Sequence, residues 1–429
     1  MRQRTFKRSA LIFVVLLGGA LVPYLTLWGC GGGGFDAPTT TSAPTLLSAQ
    51  TLKAWVDQGK VNGEGYDRVV ILDVTDKASY DNASIGHIPG ALLLNSAIEL
   101  YQTRTEGIAP DVNMVPEGSL MDSVIQKSGI DRNTTIVITS SASMLNATRA
   151  YFTFRYWGFP KERLKVLDGM NSGWFALFPE TRTGVAPVVT PSTYSVRNNG
   201  TLRANMRASL GEMMVVAADT DPDTVIVDGR SAPTAGSYAG VPKSTAGVFP
   251  PSGDYVVYEG RMKGAKALLY TNLYSSNFFR PADNIVSQFA AIGVDSSKTT
   301  YVHCRTGVIA SVLFFALDGI LGWNSVLYDG SWSQWGQMSA NSSKGGVLPS
   351  GSAWRTDVST LSDLIVYNMD NGALVEALPF DNMALLMYTG PTDLRANQIE
   401  KEDAAYITGG SGTGGGGGTT PGGGGGGGC

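Results

Sequence analysis

Short, almost wholly apolar runs alternate along this chain with longer stretches whose apolar residues recur at helical spacing. Val69–Val74 (VVILDV) is apolar at nearly every position, the pattern of a strand covered on both faces in a parallel sheet. Tyr80 follows, then the turn Gly86-His87-Ile88-Pro89-Gly90-Ala91 leading into Leu92–Leu94. Thr134–Thr139 is another strand, Ala147–Trp157 reads as a helix, and Val166-Leu167-Asp168-Gly169 closes the series with Trp174 just beyond. The same order then recurs. Asp228 repeats Asp73, and Gly260-Arg261-Met262-Lys263-Gly264-Ala265 repeats the earlier turn. Thr299–His303 repeats Thr134–Ile138, and Asp329-Gly330 with Trp335 repeats Asp168-Gly169 with Trp174. Strands alternating with helices in a repeated order predict an α/β chain of two similar tandem domains. Each is expected to be a parallel sheet with helices on both faces. On this alignment Thr139, beside Ser140 and Ser141, stands where the second copy has Cys304.

The segments around the repeat differ in composition. Residues 1–29 combine the basic start Arg2, Arg4, Lys7 and Arg8 with an apolar run from Ala10 to Trp28, the pattern of an export signal. Leu27-Trp28-Gly29-Cys30 ends it. Three readings follow: a lipoprotein with Cys30 as lipid acceptor, an uncleaved membrane anchor, or plain secretion. All three put the folded part outside the cytoplasm, on the periplasmic or extracytoplasmic side. Residues 30–47, rich in Gly, Thr, Ser and Pro, read as a flexible tether. The first domain is read as 48–178, a linker as 179–204, and the second domain as 205–340. The second copy carries an insertion between its first strand and its turn, including Pro242–Gly253. Residues 341–408 hold Trp354, Leu364–Val366 and Leu385–Met387 and are expected to fold as an extension of unassigned type. Residues 409–429 are a Gly-rich tail ending in Cys429, whose r.m.s. span as a flexible chain is about 25 Å.

Composition narrows the function. The chain has 43% hydrophobic residues, ample for buried cores, and a net charge of −4 that gives nucleic acid no reason to bind. The three cysteines, Cys30, Cys304 and Cys429, sit in different kinds of segment, which is not a disulfide framework. With only His87 and His303 beside them, no metal site is suggested. No cofactor is expected. His87 lies in the first turn and reads as structural. His303 ends the strand before Cys304, its side chain expected to point away from the loop mouth.

Candidate chemistry concentrates in Thr299–Ser311 (TTYVHCRTGVIAS), a strand, a tight Gly-containing loop and an apolar helix. Backbone N–H groups of a loop entering a helix converge on one point, and the helix dipole adds positive potential there. A sulfur at that point ionises more readily than a free thiol, and an anion attached to it is stabilised. Cys304 is therefore the candidate nucleophile, the bland alternative being a small buried hydrophobe. Cys-x5-Arg phosphatases share this geometry, but the position six after the cysteine is Ala310, not the arginine that phosphate needs.

At this loop the chain resembles the tandem-domain rhodanese family, the thiosulfate and mercaptopyruvate sulfurtransferases. Cys304-Arg305-Thr306-Gly307-Val308-Ile309-Ala310 is similar to the family's active-site loop. Tyr328-Asp329-Gly330-Ser331-Trp332 with Trp335-Gly336 is similar to its closing motif, and Val227-Asp228-Gly229-Arg230 to its Asp-x-Arg signature. The resemblance implies transfer of a sulfane sulfur from thiosulfate or a related small anion, through a Cys304 persulfide, to a thiol or cyanide acceptor. It implies that the second copy carries the catalysis. The amides of Arg305, Thr306, Gly307, Val308 and Ile309 would cradle the persulfide, and the Arg305 guanidinium would bind the donor, with Arg230 and Arg261 as further candidates. Thr306 stands where thiosulfate-specific members carry a second cation, and Ser237 where many carry an arginine. A weaker resemblance, to rhodanese-like lipoproteins associated with selenite or tellurite reduction, implies the alternative. In it the chain is a non-turnover chalcogen-binding or redox-relay subunit of an exported reductase system, with redox partner proteins and Cys429 as an accessory thiol.

Overall fold

A computed structural model describes residues 44–106, 109–218, 221–230, 262, 264–341 and 397–409, with short strand pieces at 346–347, 366–367 and 374–375. Cys30, Arg261, Ser237, the 242–253 insertion and Cys429 lie outside the described residues, as do the signal and nearly all of the tail.

The first half runs β1 (Leu46–Leu47), α1 (Ala49–Asp57), β2 (Val69–Thr75), α2 (Lys77–Asp81), β3 (Leu92–Asn95), β4 (Gln102–Glu106), β5 (Ala109–Met114), α3 (Gly118–Lys127), β6 (Thr135–Thr139), α4 (Met144–Tyr156), β7 (Leu164–Leu167) and α5 (Met170–Leu177). Five strands form a parallel sheet in the order β1-β7-β6-β2-β3. Every residue of β2 is buried, as its sequence predicts. Val69 and Ile71 pack with Leu52 and Trp55 of α1 and Trp174 of α5, while Val70, Leu72 and Val74 face the cluster of α3 and α4. Helices thus cover both faces. Leu46–Leu47 belongs to the sheet, just ahead of the boundary drawn from composition, because β1 pairs with β7. The β4–β5 antiparallel hairpin is unanticipated.

The second half contains α6 (Leu210–Ala218), β8 (Thr224–Asp228), β9 (Lys266–Ala267), β10 (Tyr274–Ser275), β11 (Phe278–Phe279), α7 (Ala282–Ala290), β12 (Thr299–His303), α8 (Ala310–Phe314), β13 (Ser325–Leu327) and α9 (Ser331–Ser339). Its parallel sheet, β13-β12-β8-β9, reproduces β7-β6-β2-β3. A single parallel bridge from Arg207 to Leu327 stands where β1 pairs with β7. A π-helical turn, Phe315–Leu321, continues α8.

Strand register makes the repeat quantitative. Asp73 pairs with Thr139, and Asp228 pairs with His303. Cys304 therefore corresponds to Ser140, not to Thr139. The sequence alignment was one residue out, because a run of Thr, Ser and apolar residues carries no mark of register.

The halves pack through α4 and α8. Phe152 meets Phe314 edge-on at 5.2 Å between centroids, Tyr151 meets Phe315 at 4.8 Å, and Thr148 Oγ1 lies 2.8 Å from Ser311 Oγ. Each half also offers a backbone amide to the other's Asp-Gly corner. Phe279 N–H donates to Asp168 Oδ1 and Val115 N–H to Asp329 Oδ2, both at 2.9 Å. The described part of the extension ends in α10 (Gln398–Ile407), which docks on the first half. Asp403 there takes both NH groups of Arg104, at 2.8 and 2.9 Å, and the Tyr156 hydroxyl at 2.8 Å.

Candidate active site

β12 ends inside the protein at the buried Val302 and His303, and the chain must turn immediately to enter α8. It does so through Cys304–Ile309, with Gly307 at φ +77°. A Cβ built there would lie 2.5 Å from the Asp329 carbonyl oxygen, so only glycine allows both the left-handed turn and the contact. The start of α9 clasps the loop from the other side. Trp332 N–H donates to Cys304 O at 3.1 Å, Ser333 N–H to Arg305 O at 2.7 Å, and Cys304 N–H to Ser331 Oγ at 3.2 Å. Ser331 itself holds φ +50°, as does Met170 at the matching corner of the first half, with φ +53°.

Cys304 is fully buried at the C-terminal end of the sheet. The amides of Thr306 through Ile309 donate to no carbonyl among the described residues. In the first half the amides two and three past Ser140, those of Ala142 and Ser143, both donate to Ser140 Oγ at 3.0 Å. The first-half loop thus aims two successive N–H groups at the side chain of its first residue. In the first half a hydroxyl already satisfies them; the matching residue of the second half is a thiol. Amides arranged in this way stabilise negative charge on the atom they face.

Under the loop, Asp228, Arg230 and His303 form a buried group. Arg230 holds Asp228 through its NH2 at 2.7 Å and its Nε at 3.1 Å, and lies over the Trp332 ring at 4.8 Å. His303 Nε2 sits 3.7 Å from Asp228 Oδ2, with Nδ1 3.2 Å from Cys304 O. Burial would raise the Asp228 carboxyl, but His303 and Arg230 outweigh it and hold the group below its usual value. Burial outweighs the pull of Asp228 and pushes His303 below its ordinary value. The Asp-x-Arg signature is therefore built here as an ion pair beneath the loop, and His303 is tied to it rather than to the sulfur. His87 stacks flat on Tyr80 with centroids 4.0 Å apart, and burial lowers it too. The first half has no cation at the position of Arg230: Thr75 stands there, and burial raises Asp73 to about 6.

Sequence reading missed the residues that brace the loop, Arg149 from the first half and Arg207 from the start of the second. Arg149 of α4 donates to the Gly307 carbonyl at 3.4 Å and to the Asn113 carbonyl at 2.8 Å, and pairs with Asp329 at 3.4 Å. Arg207 lies 2.8 Å from Asp329 through Nε and takes both oxygens of Glu106 and one of Glu400. Both guanidiniums are fully buried. The available signal was a charged residue, Arg149, set among Ala147, Ala150 and Tyr151 on an otherwise core-facing helix.

Comparison with known proteins agrees with this architecture. Residues 48–177, the half without a thiol, match the family model "Rhodanese-like domain". The chain is 26% identical over 298 residues to a putative thiosulfate sulfurtransferase of Haloferax volcanii, covering 68% of this chain and 93% of that protein. It is 28% identical over 271 residues to a thiosulfate sulfurtransferase of Corynebacterium glutamicum, covering 63% and 82%. Among solved structures, a 3-mercaptopyruvate sulfotransferase from Escherichia coli superposes with a TM-score of 0.51 at 20% identity, over 68% of this chain and 99% of that one. The chain carries a rhodanese-like domain, has the rhodanese fold, and is a sulfurtransferase-like enzyme.

Proposed function

We propose that this chain transfers sulfur through Cys304, taking a sulfane sulfur from thiosulfate or a related small anion and passing it to a thiol or cyanide. The observation that carries the reading is the placement of Cys304. It is the first residue of a strand-to-helix loop whose counterpart in the other half turns two amides onto the matching side chain. The Cys304 thiolate attacks the outer sulfur of the donor; a new S–S bond forms, and the old one breaks with its electron pair leaving on sulfite. The acceptor then attacks the outer sulfur of the persulfide and the Cys304 thiolate is restored, a ping-pong course. The amides from Arg305 to Ile309, with Arg305 itself, would hold the anionic end of the donor. Arg230, engaged with Asp228, would act mainly by holding up the loop, and Arg261 remains a candidate for the donor side. In the same proposal Cys30 carries the lipid that holds the protein at an extracytoplasmic membrane surface, and Cys429 is an accessory thiol.

The test is intact mass spectrometry on the reduced protein lacking residues 1–29. Incubation with thiosulfate should add one sulfur to wild type and to Cys429→Ser, and none to Cys304→Ser; cyanide should then remove it over many cycles. If thiosulfate adds nothing, the chalcogen-binding or redox-relay reading takes its place.

A further inference from the structure

The two halves provide an internal control on what the catalytic loop needs. Counted on without a gap from Ser140 and Cys304, Arg149 falls opposite Leu313. By strand register Arg207, bridged to Leu327, falls opposite Leu46, bridged to Val166. At each of these two positions one half has a leucine and the other a buried arginine, Arg149 in the first half and Arg207 in the second. Burying a guanidinium costs free energy that a leucine does not, so the fold alone does not call for them. Both arginines serve the half that has the thiol.

They converge on one carboxylate. Arg207 Nε lies 2.8 Å from Asp329 Oδ1 as an ion pair, and Asp329 Oδ2 accepts from Arg149 and the Val115 amide. The matching Asp168 receives the Phe279 amide, and burial raises it. The backbone of Asp329 is also the surface against which Gly307 rests, and Arg149 takes the Gly307 carbonyl as well. The pair therefore grips both sides of the point where the loop meets α9. Beyond them, Glu106 of the β4–β5 hairpin and Glu400 of α10 accept hydrogen bonds from Arg207.

We propose that Arg149 and Arg207 are positioning residues for the Cys304 loop, acting through Asp329 and Gly307, and that α10 belongs to the same brace. The first half, which has no thiol, and the extension beyond the second sheet would then both act on the reactivity of Cys304. This rests on the sulfur-transfer reading for its kinetic consequence, though not for its effect on the thiol itself.

The experiment uses the full chain with Arg149→Leu and Arg207→Leu, each installing the residue found in the other half. Arg155→Leu is the control: Arg155 is on the same helix and pairs with Asp318 of the π-helical turn at 3.0 Å, away from the loop. Two readouts are taken on variants shown to be folded by circular dichroism. One is the pH profile of Cys304 alkylation by iodoacetamide, read by peptide mass; the other is the sulfur-loading rate against thiosulfate concentration. The expected result is a raised pH midpoint of alkylation, and a saturating loading rate lower by at least about tenfold, because misplacing a reacting group by about an ångström costs roughly 100-fold. The half-saturating thiosulfate concentration should stay nearly unchanged. Arg155→Leu should lower thermal stability and move neither readout, and Arg149→Lys should recover part of the loss. Wild-type alkylation and loading in the two leucine variants would overturn the proposal. If those variants do not fold, the comparison is read on Arg149→Lys and Arg207→Lys, where wild-type behaviour in both overturns it. If wild type loads no sulfur while the alkylation midpoint still shifts, sulfur transfer fails and the brace stands.

Discussion

Replacing Gly307 by alanine tests how tightly the loop is built. Two costs are separable. An L-residue at φ +77° is strained by about 1–2 kcal/mol relative to glycine. The new methyl group would also meet the Asp329 carbonyl oxygen at 2.5 Å and its Cα at 2.8 Å. These are backbone atoms of a residue whose carboxylate is engaged by Arg149, Arg207 and the Val115 amide, and they cannot swing aside as a side-chain tip would. Overpacking of that kind costs about 1–3 kcal/mol, giving about 2–5 kcal/mol in all. Gly200 isolates the first cost: its φ is +68° and nothing lies within 4 Å of a built Cβ, so Gly200→Ala should cost only about 1–2 kcal/mol. Urea unfolding midpoints of the two variants, at equal slope, give the difference. Sulfur loading, followed by intact mass, should fall by roughly 100-fold in Gly307→Ala, because the loop must move to relieve the clash, and be unchanged in Gly200→Ala. Equal midpoints for the two alanine variants, with loading intact in both, would refute the close approach and the reasoning that depends on it.

Burial pushes Glu400 up to about 8, against the pull of Arg207 and with the repulsion of Glu212 and Glu106. The folded protein then holds a proton on Glu400 that the unfolded chain has released, so its contribution to stability is present at acid pH and declines as pH rises from about 4.5 to 8. Glu400→Gln should flatten that decline in urea titrations between pH 5 and pH 8.5, roughly the window in question; an unaltered slope would count against the assignment. Removing Arg230 alone, as Arg230→Met, leaves Asp228 buried without its counter-charge and should destabilise by about 3–5 kcal/mol. Adding Asp228→Asn should return much of this, whereas a residue that only binds donor would raise the half-saturating donor concentration and leave the unfolding midpoint alone. In a Cys304→Ser background, Ser140→Cys should give a thiol that alkylates at lower pH than Thr139→Cys, since the Ala142 and Ser143 amides aim at position 140. The opposite order would restore the alignment first drawn from sequence.

Composition and periodicity alone determined a good deal about this chain. An apolar run such as Val69–Val74 fits a strand covered on both sides in a parallel sheet, and it and Thr299–His303 are strands within a residue of where they read. The recurrence of Asp, turn and Asp-Gly determined that the fold is doubled. The spacing of Cys304, Gly307 and the helix start marked one loop as chemical, because adjacent backbone atoms dictate where their own N–H groups point. Register and bracing were decided only in three dimensions. Whether Thr139 or Ser140 answers to Cys304 depends on which strand atoms pair, and a one-residue slip leaves the local pattern almost unaltered. The contacts of Arg149, Arg207 and Glu400 with the Asp329 corner cross 180, 122 and 193 residues respectively, counted to Asp329, Asp329 and Arg207. A charged residue in a sequence announces that it needs a partner when buried, but not which one, since that choice is made by the packing of α4 on α8 and of α10 on the first half.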